Sequence, residues 1–265
     1  DEERWTGAKL GPGSESAREI GVANVLPLNQ FESKFEDLAR EADSVHTITR
    51  QETNMARLRQ RAPRSDYSDA ADAIAAMRVV KSDTEMALLE RAIDITLAAH
   101  RAAASVIRPN SMEYEVEAII EYEFRKNGAQ GPGFPSIIGS GPYSTILHYN
   151  DNERQMQDGD LVVVDVGAEF SGYSADITRT YPVNGRFTDR QREIYQIVLD
   201  AQNAALAQVR PGARMSGPNS IHSAARAYID NAGYGEYFIH GTSHYIGLYV
   251  HDVGDTRQPL EPNMV

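Results

Sequence analysis

Leu161 to Thr180 reads LVVVDVGAEFSGYSADITRT, and the fold turns on how it is read. Leu161–Val164 is an apolar, largely β-branched run, which predicts a buried strand. Gly172 marks a turn, and Tyr173–Val183 supplies strand formers at Tyr173, Ile177, Thr178, Thr180 and Tyr181. The stretch predicts a β-hairpin. With the turn centred between Phe170 and Ser171, Asp165 and Asp176 stand opposite each other on one face, Cβ atoms about 4.5–5.5 Å apart. Two such carboxylates repel, so a shared proton, a nearby Arg or a cation must offset the cost. Alternation places Arg179 on the opposite face from Asp176. A metal is the simplest remaining answer, because carboxylate bridging builds two-metal hydrolytic sites. Solvated turn aspartates are the plain alternative, and the apolar run before Asp165 argues against them.

The 265 residues are 41% hydrophobic, enough for one large domain or a domain plus a smaller piece. A net charge of −12 without a Lys/Arg stripe argues against nucleic acid as a partner. The absence of cysteine excludes disulfides, thiolate ligands and a Cys nucleophile. No apolar run approaches the ~18 residues of a membrane span, so no membrane partner is expected. DEERWTGAKLG is no signal peptide and has no initiator Met. The compartment is therefore left open, a cytoplasmic location being favoured over a periplasmic or secreted one.

Residues 1–75 read as a partial α/β domain. Val25–Leu28 is expected as a short strand, Asn29 as the cap of a helix carrying Phe31, Phe35 and Leu38, and Ser44–Thr49 as a second strand. Arg61–Asp72 is the expected linker. A long helix starts at Ser82, where Ser82 and Glu85 form a capping box, with Met86, Leu89, Ile93 and Leu97 as its stripe. It stops at Arg108-Pro109-Asn110. Ser111 is expected to cap a second helix, with Val116, Ile119, Ile120 and Phe124 inward and Gly128 after its end. Thr188 and Gln191 open a third helix ending at Arg210-Pro211-Gly212, and a fourth spans 218–231. The order helix, Arg-Pro turn, helix, Gly, glycine-bearing segment and histidine therefore occurs twice, closing on His148 and on His244. That echo predicts two related α/β halves with a site between them. Phe238–Gly254, FIHGTSHYIGLYVHDVG, holds His240, His244 and His251 in a glycine-broken loop, a metal or catalytic signal.

ILHY at Ile146–Tyr149, DVGAEFSGYSADITRTYPVNG at Asp165–Gly185 and HGTSHYIGLYVHDVG at His240–Gly254 resemble the pita-bread metallopeptidases, within them the Xaa-Pro aminopeptidase and prolidase branch. The resemblance runs from about Arg78 to the end. It implies an α+β pita-bread domain over 76–265 with pseudo-twofold halves, preceded by the remnant of a smaller N-terminal α/β domain. It implies Asp165 as a ligand to one ion, Asp176 as a bridge and His244 as a ligand to the other, with Mn favoured over Co or Zn. His148 and His251 match positions that contact substrate and assist proton transfer, and His240 matches a further active-site histidine. Tyr249 stands where an aspartate is common, and Asn263 where a glycine is. Two glutamate ligands normally follow on later strands and do not occur within 1–265. The chain is thus expected to be part of a longer polypeptide whose C-terminal part completes the domain. The implied activity is release of the residue before proline from a peptide with proline in second position. A Xaa-Pro dipeptidase, a metal-free creatinase-type hydrolase and a non-catalytic binding module on the same fold are the alternatives; a homo-oligomer is compatible with each.

Overall fold

The computed structural model describes residues 3–265, which form two compact units meeting between Ile74 and Ala75. The first unit holds α1 (Glu3–Thr6), α2 (Ser14–Ile20), α3 (Phe31–Glu41), β1 (Ser44–Thr47), α4 (Glu52–Arg61) and β2 (Asp66–Asp69). β1 and β2 pair in parallel, so the stretch expected as a linker contains a strand. Val25–Pro27 forms no strand, and a 3-10 turn at Leu28–Gln30 precedes α3. Asn29 therefore lies inside that turn, and Gln30 takes the cap position without a side-chain bond.

α5 (Ala71–Val79) leads to α6 (Asp83–Val106), where the Ser82–Glu85 capping box forms as expected. Of the expected stripe of α6, Leu89 is buried, but the rest of the buried face is Ala92, Ile95, Thr96, Ala99, His100 and Ala103, and Ile93 is exposed. Alanines let neighbouring elements approach closely, and counting only large apolar residues overlooks such a face. α7 (Glu113–Lys126) follows. Its cap is Met112, since the Ser111 hydroxyl turns back to donate to the Val106 carbonyl. Gly128, at φ 94°, closes the helix in the left-handed conformation.

Next come β3 (Gly131–Pro132), β4 (Ile137–Ser140), β5 (Leu161–Val166), β6 (Ala168–Phe170), β7 (Tyr173–Ser174) and β8 (Ile177–Pro182). They form two antiparallel sheets, ordered β4-β5-β8 and β3-β6-β7. Val162, Val164 and Val166 pack on Ile95, Ile120 and Phe124, leaving the alternate residues, Asp165 among them, on the other face. α8 (Asp189–Leu206), capped by the expected Thr188–Gln191 box, and α9 (Ile221–Asn231) complete the regular elements. Ala201, Ala205, Met215, Ile221, Ala225 and Tyr245 form a second core.

The sequence echo is present in the hydrogen bonds. Asn110 N–H donates to Met156 and Met156 N–H to Ser111, while Gly212 N–H donates to Leu260 and Leu260 N–H to Ala213. Asn110 (φ 72°) and Gly212 (φ 86°) share the left-handed turn, and the bridges Met112↔Gln155 and Arg214↔Pro259 match each other. No described helix is long and apolar enough to cross a membrane.

Candidate functional site

The hairpin register differs from the expected one. Asp165 pairs with Thr178, and Phe170 with Tyr173. The turn is thus Ser171-Gly172, both with positive φ (51° and 83°), a two-residue hairpin turn whose twist matches the strands it joins. Asp176 lies diagonally across from Asp165 instead of opposite, and the shift by two residues keeps both carboxylates on one face. Thr178 takes the opposing position and its hydroxyl donates to Asp165 Oδ1 at 2.8 Å.

The hairpin changes sheet between Val166 and Ala168, beside Asp176. A Cβ on Gly167 would lie 1.7 Å from the Ala175 carbonyl oxygen, so only glycine fits there. α6 braces both strands: Thr96 Oγ1 accepts from Ala168 N–H at 2.9 Å, and His100 Nε2 donates to the Ile177 carbonyl at 2.9 Å. The aspartates are therefore held by strand register and by a packed helix.

Burial first, with the Asp176 charge and hydrogen bond acting the same way, pushes the Asp165 carboxyl up to about 6. Thr178 and His148 oppose that rise. His244 Nε2 stands 3.2 Å from Asp176 Oδ2, and that contact raises the imidazole pKa. Its Nδ1 sits 3.0 Å from the Tyr245 carbonyl. With Nδ1–H donating there, neutral His244 presents the Nε2 lone pair towards Asp176. The His251 ring meets His244 edge-on at 4.3 Å, with His148 at 6.5 Å from His251.

Five of the six residues singled out in the sequence are thus brought together: His148, Asp165, Asp176, His244 and His251. His240 has different neighbours: its ring packs on Phe238 at 5.2 Å, beside a cavity of ≈ 510 Å³ that His222 and Arg226 also line. Two of the loop histidines are followed by a buried tyrosine. Tyr149 OH donates to Glu113 at 2.8 Å, with burial first and this bond second pushing the phenol up to about 12. Tyr245 is 3% exposed within the second core. Thr178 escaped the sequence reading because its role follows from the register alone.

Among the described residues no three His, Asp or Glu side chains form a ready-made metal cage. The donor chemistry nevertheless fits a hard divalent ion: two carboxylates crowd together, one with its proton affinity raised, and an imidazole nitrogen faces the second.

The sequence pattern of metallopeptidase family M24 matches residues 87–265. The chain belongs to that family. It is 35% identical over 295 residues to the Xaa-Pro aminopeptidase of Escherichia coli (strain K12), covering 99% of this chain and 67% of that protein. It is 40% identical over 195 residues to the Xaa-Pro dipeptidase of Pyrococcus horikoshii, covering 74% of this chain and 54% of that one. The solved structure of proline aminopeptidase P II from Yersinia pestis superposes with a TM-score of 0.89 at 33% identity, over 99% of this chain and 68% of that one. A zinc-substituted Escherichia coli aminopeptidase P in complex with product gives 0.88. The M24 chain thus has the α+β pita-bread fold, and spans about two thirds of these aminopeptidases and about half of the dipeptidase.

Proposed function

We propose that this M24 chain carries the site of a metal-dependent Xaa-Pro aminopeptidase, in which Asp165 and His244 would each hold divalent metal and Asp176 would be a ligand shared with both. The observation that carries the reading is the Asp165–Asp176–His244 array on one face, with Thr178 bonded to Asp165. Relatives named Xaa-Pro aminopeptidase support it over almost the full chain. When bound, the metal would supply Lewis-acid polarisation and a lowered pKa for bound water. Oxygen-rich ligation favours Mn over Zn or Co.

The chain's own residues divide the remaining work. Thr178 orients Asp165 by donating to Oδ1, leaving the other oxygen for a cation. The Nδ1 contact of His244 fixes which nitrogen faces Asp176. His148 and His251 flank this array from two different loops, placed to donate to a developing oxyanion or pass a proton to the leaving amine. Low exposure of the Asp165 strand keeps water off one side of the array. His240 lines the cavity with His222 and Arg226, apart from that array.

The test is to assay the natural full-length protein on Xaa-Pro-Yaa peptides after chelation and after adding back Mn. Release of free Xaa that vanishes on chelation and returns with Mn is the expected result, and turnover indifferent to chelation overturns the reading. The 40% identity to a dipeptidase keeps one second reading, prolidase activity, which a preference for Xaa-Pro dipeptides over longer peptides would reveal.

A further inference from the structure

We propose that Lys81 and Asp252 are positioning residues that set the place of the His251 ring, an inference that rests on the active-site reading above. Asp252 follows His251 directly, and its side chain points inward with 1% exposure. There it meets two cations from the approach to α6. Lys81 Nζ lies 3.6 Å from Oδ2, itself 1% exposed, and the Arg78 guanidinium bonds Oδ1. Gly247 roofs the pair: a Cβ there would stand 2.2 Å from Asp252 Oδ2 and 3.2 Å from Lys81 Cε. The backbone of Asp252 closes the loop as well, its N–H donating to Tyr245 O at 2.9 Å.

This arrangement explains how a glycine-bearing loop without regular structure holds two histidine rings. His244 directly precedes Tyr245 and His251 directly precedes Asp252, the two ends of that closure, and their rings meet edge-on at 4.3 Å. Among the described residues no hydrogen bond anchors the His251 ring. Its placement therefore comes from its neighbour, and the side chain of that neighbour is fixed by Lys81 on one oxygen and Arg78 on the other. The loop and this segment also meet the same stretch of chain, since Lys81 N–H donates to Asn263 O at 2.9 Å and Ile246 N–H to Val265 O at 3.1 Å. A buried ion pair is a costly way to gain stability alone, because apolar replacement of both partners is often neutral or stabilising. Its directional geometry is what an apolar pair lacks.

The experiment uses the full-length protein and four variants: Lys81→Met, Lys81→Arg, Asp252→Asn, and Lys81→Met with Asp252→Leu. Two readouts are needed, kcat and KM on a Xaa-Pro-Yaa peptide, and the nuclear Overhauser contact between the His244 and His251 rings in metal-free protein. Lys81→Met and Asp252→Asn should lower kcat by on the order of 10–100-fold with KM and metal content little changed, since small misplacements cost that much. Both should lose the ring contact, and Lys81→Arg should restore it in part. The double variant should recover part of the melting temperature, Arg78 being left without its carboxylate, while kcat and the ring contact stay lost. A double variant with wild-type kcat and ring contact overturns the proposal, even where the single variants fail to fold. Wild-type protein inactive on Xaa-Pro peptides would sink the functional reading instead, and the ring contact would still decide this one.

Discussion

The two halves of the M24 unit share a backbone plan, and the unit holds its site residues by two different means. In the first half the Arg108-Pro109-Asn110 turn leads into α7, and the carboxylates ride on paired strands. In the second the Arg210-Pro211-Gly212 turn leads into α9, and His244 and His251 ride on a loop. The Asn110–Met156 and Gly212–Leu260 bonds show that the plan is the same. The cores beneath are not. At the position of Glu113, buried and accepting from Ser140, Tyr149 and Arg154, the second half has buried Met215. A strand fixes a side chain through register, which no single neighbour can change. A loop fixes a side chain through the buried residue beside it, so one substitution can release it.

The sharpest break of that comparison is Asp176→Ala. Its strand neighbours should keep the fold, while activity falls by at least on the order of 10³-fold, the upper range for loss of one active-site electrostatic contact. Metal content measured on the purified variant should fall with it; both ions retained would remove Asp176 from the site.

Glu113→Ala and Met215→Ala compare the two cores directly. Removing the carboxylate strands four buried donors, so a loss of about 3–5 kcal/mol is expected in denaturant melts, with slower turnover through Tyr149 and His148. Met215→Ala should cost about 2–3 kcal/mol as a cavity alone. Equal losses would mean the polar core contributes nothing particular to the first half.

His251→Ala should lower kcat about 10²-fold with metal content near normal, the range for losing a proton-transfer group. Metal loss matching that of His244→Ala would make His251 a ligand instead.

The smallest effect is a pH dependence of the metal-free protein. Asp165 holds its proton to about 6 when folded, against about 3.9 when unfolded. Between those values the folded state binds more protons, so stability falls as pH rises from about 4 to about 6. Asp165→Asn should remove that slope and stabilise the metal-free chain at pH 7 by on the order of 2 kcal/mol. Saturating Mn should remove the same penalty in the wild type. A flat profile in chemical melts would refute the strained carboxyl.

Signals confined to a few residues were legible. The Ser82–Glu85 and Thr188–Gln191 boxes, the β-branched strand before Asp165 and the paired Arg-Pro turns each sit where the sequence puts them. The motifs around His148, Asp165 and His244 carried the family. Other features escaped for physical reasons. The alanine face of α6 has no large side chain to count. The Ser171-Gly172 turn follows from matching strand twist, and it moved the partner of Asp165 from Asp176 to Thr178.

By itself the sequence determined the chemistry available: two aspartates on either side of a hairpin turn and histidines beside glycines, with no thiol anywhere. The shared face survived because the register moved by two residues; a slip of one would have put the carboxylates on opposite faces, since side chains alternate with period two. Only the tertiary structure decided which groups touch. It set Thr178 against Asp165, gave His240 neighbours of its own, and brought Arg78 to Asp252 across 174 residues. Local patterns reach a turn of helix or one strand pair, whereas the pairing of buried charges is settled when distant segments exclude water together.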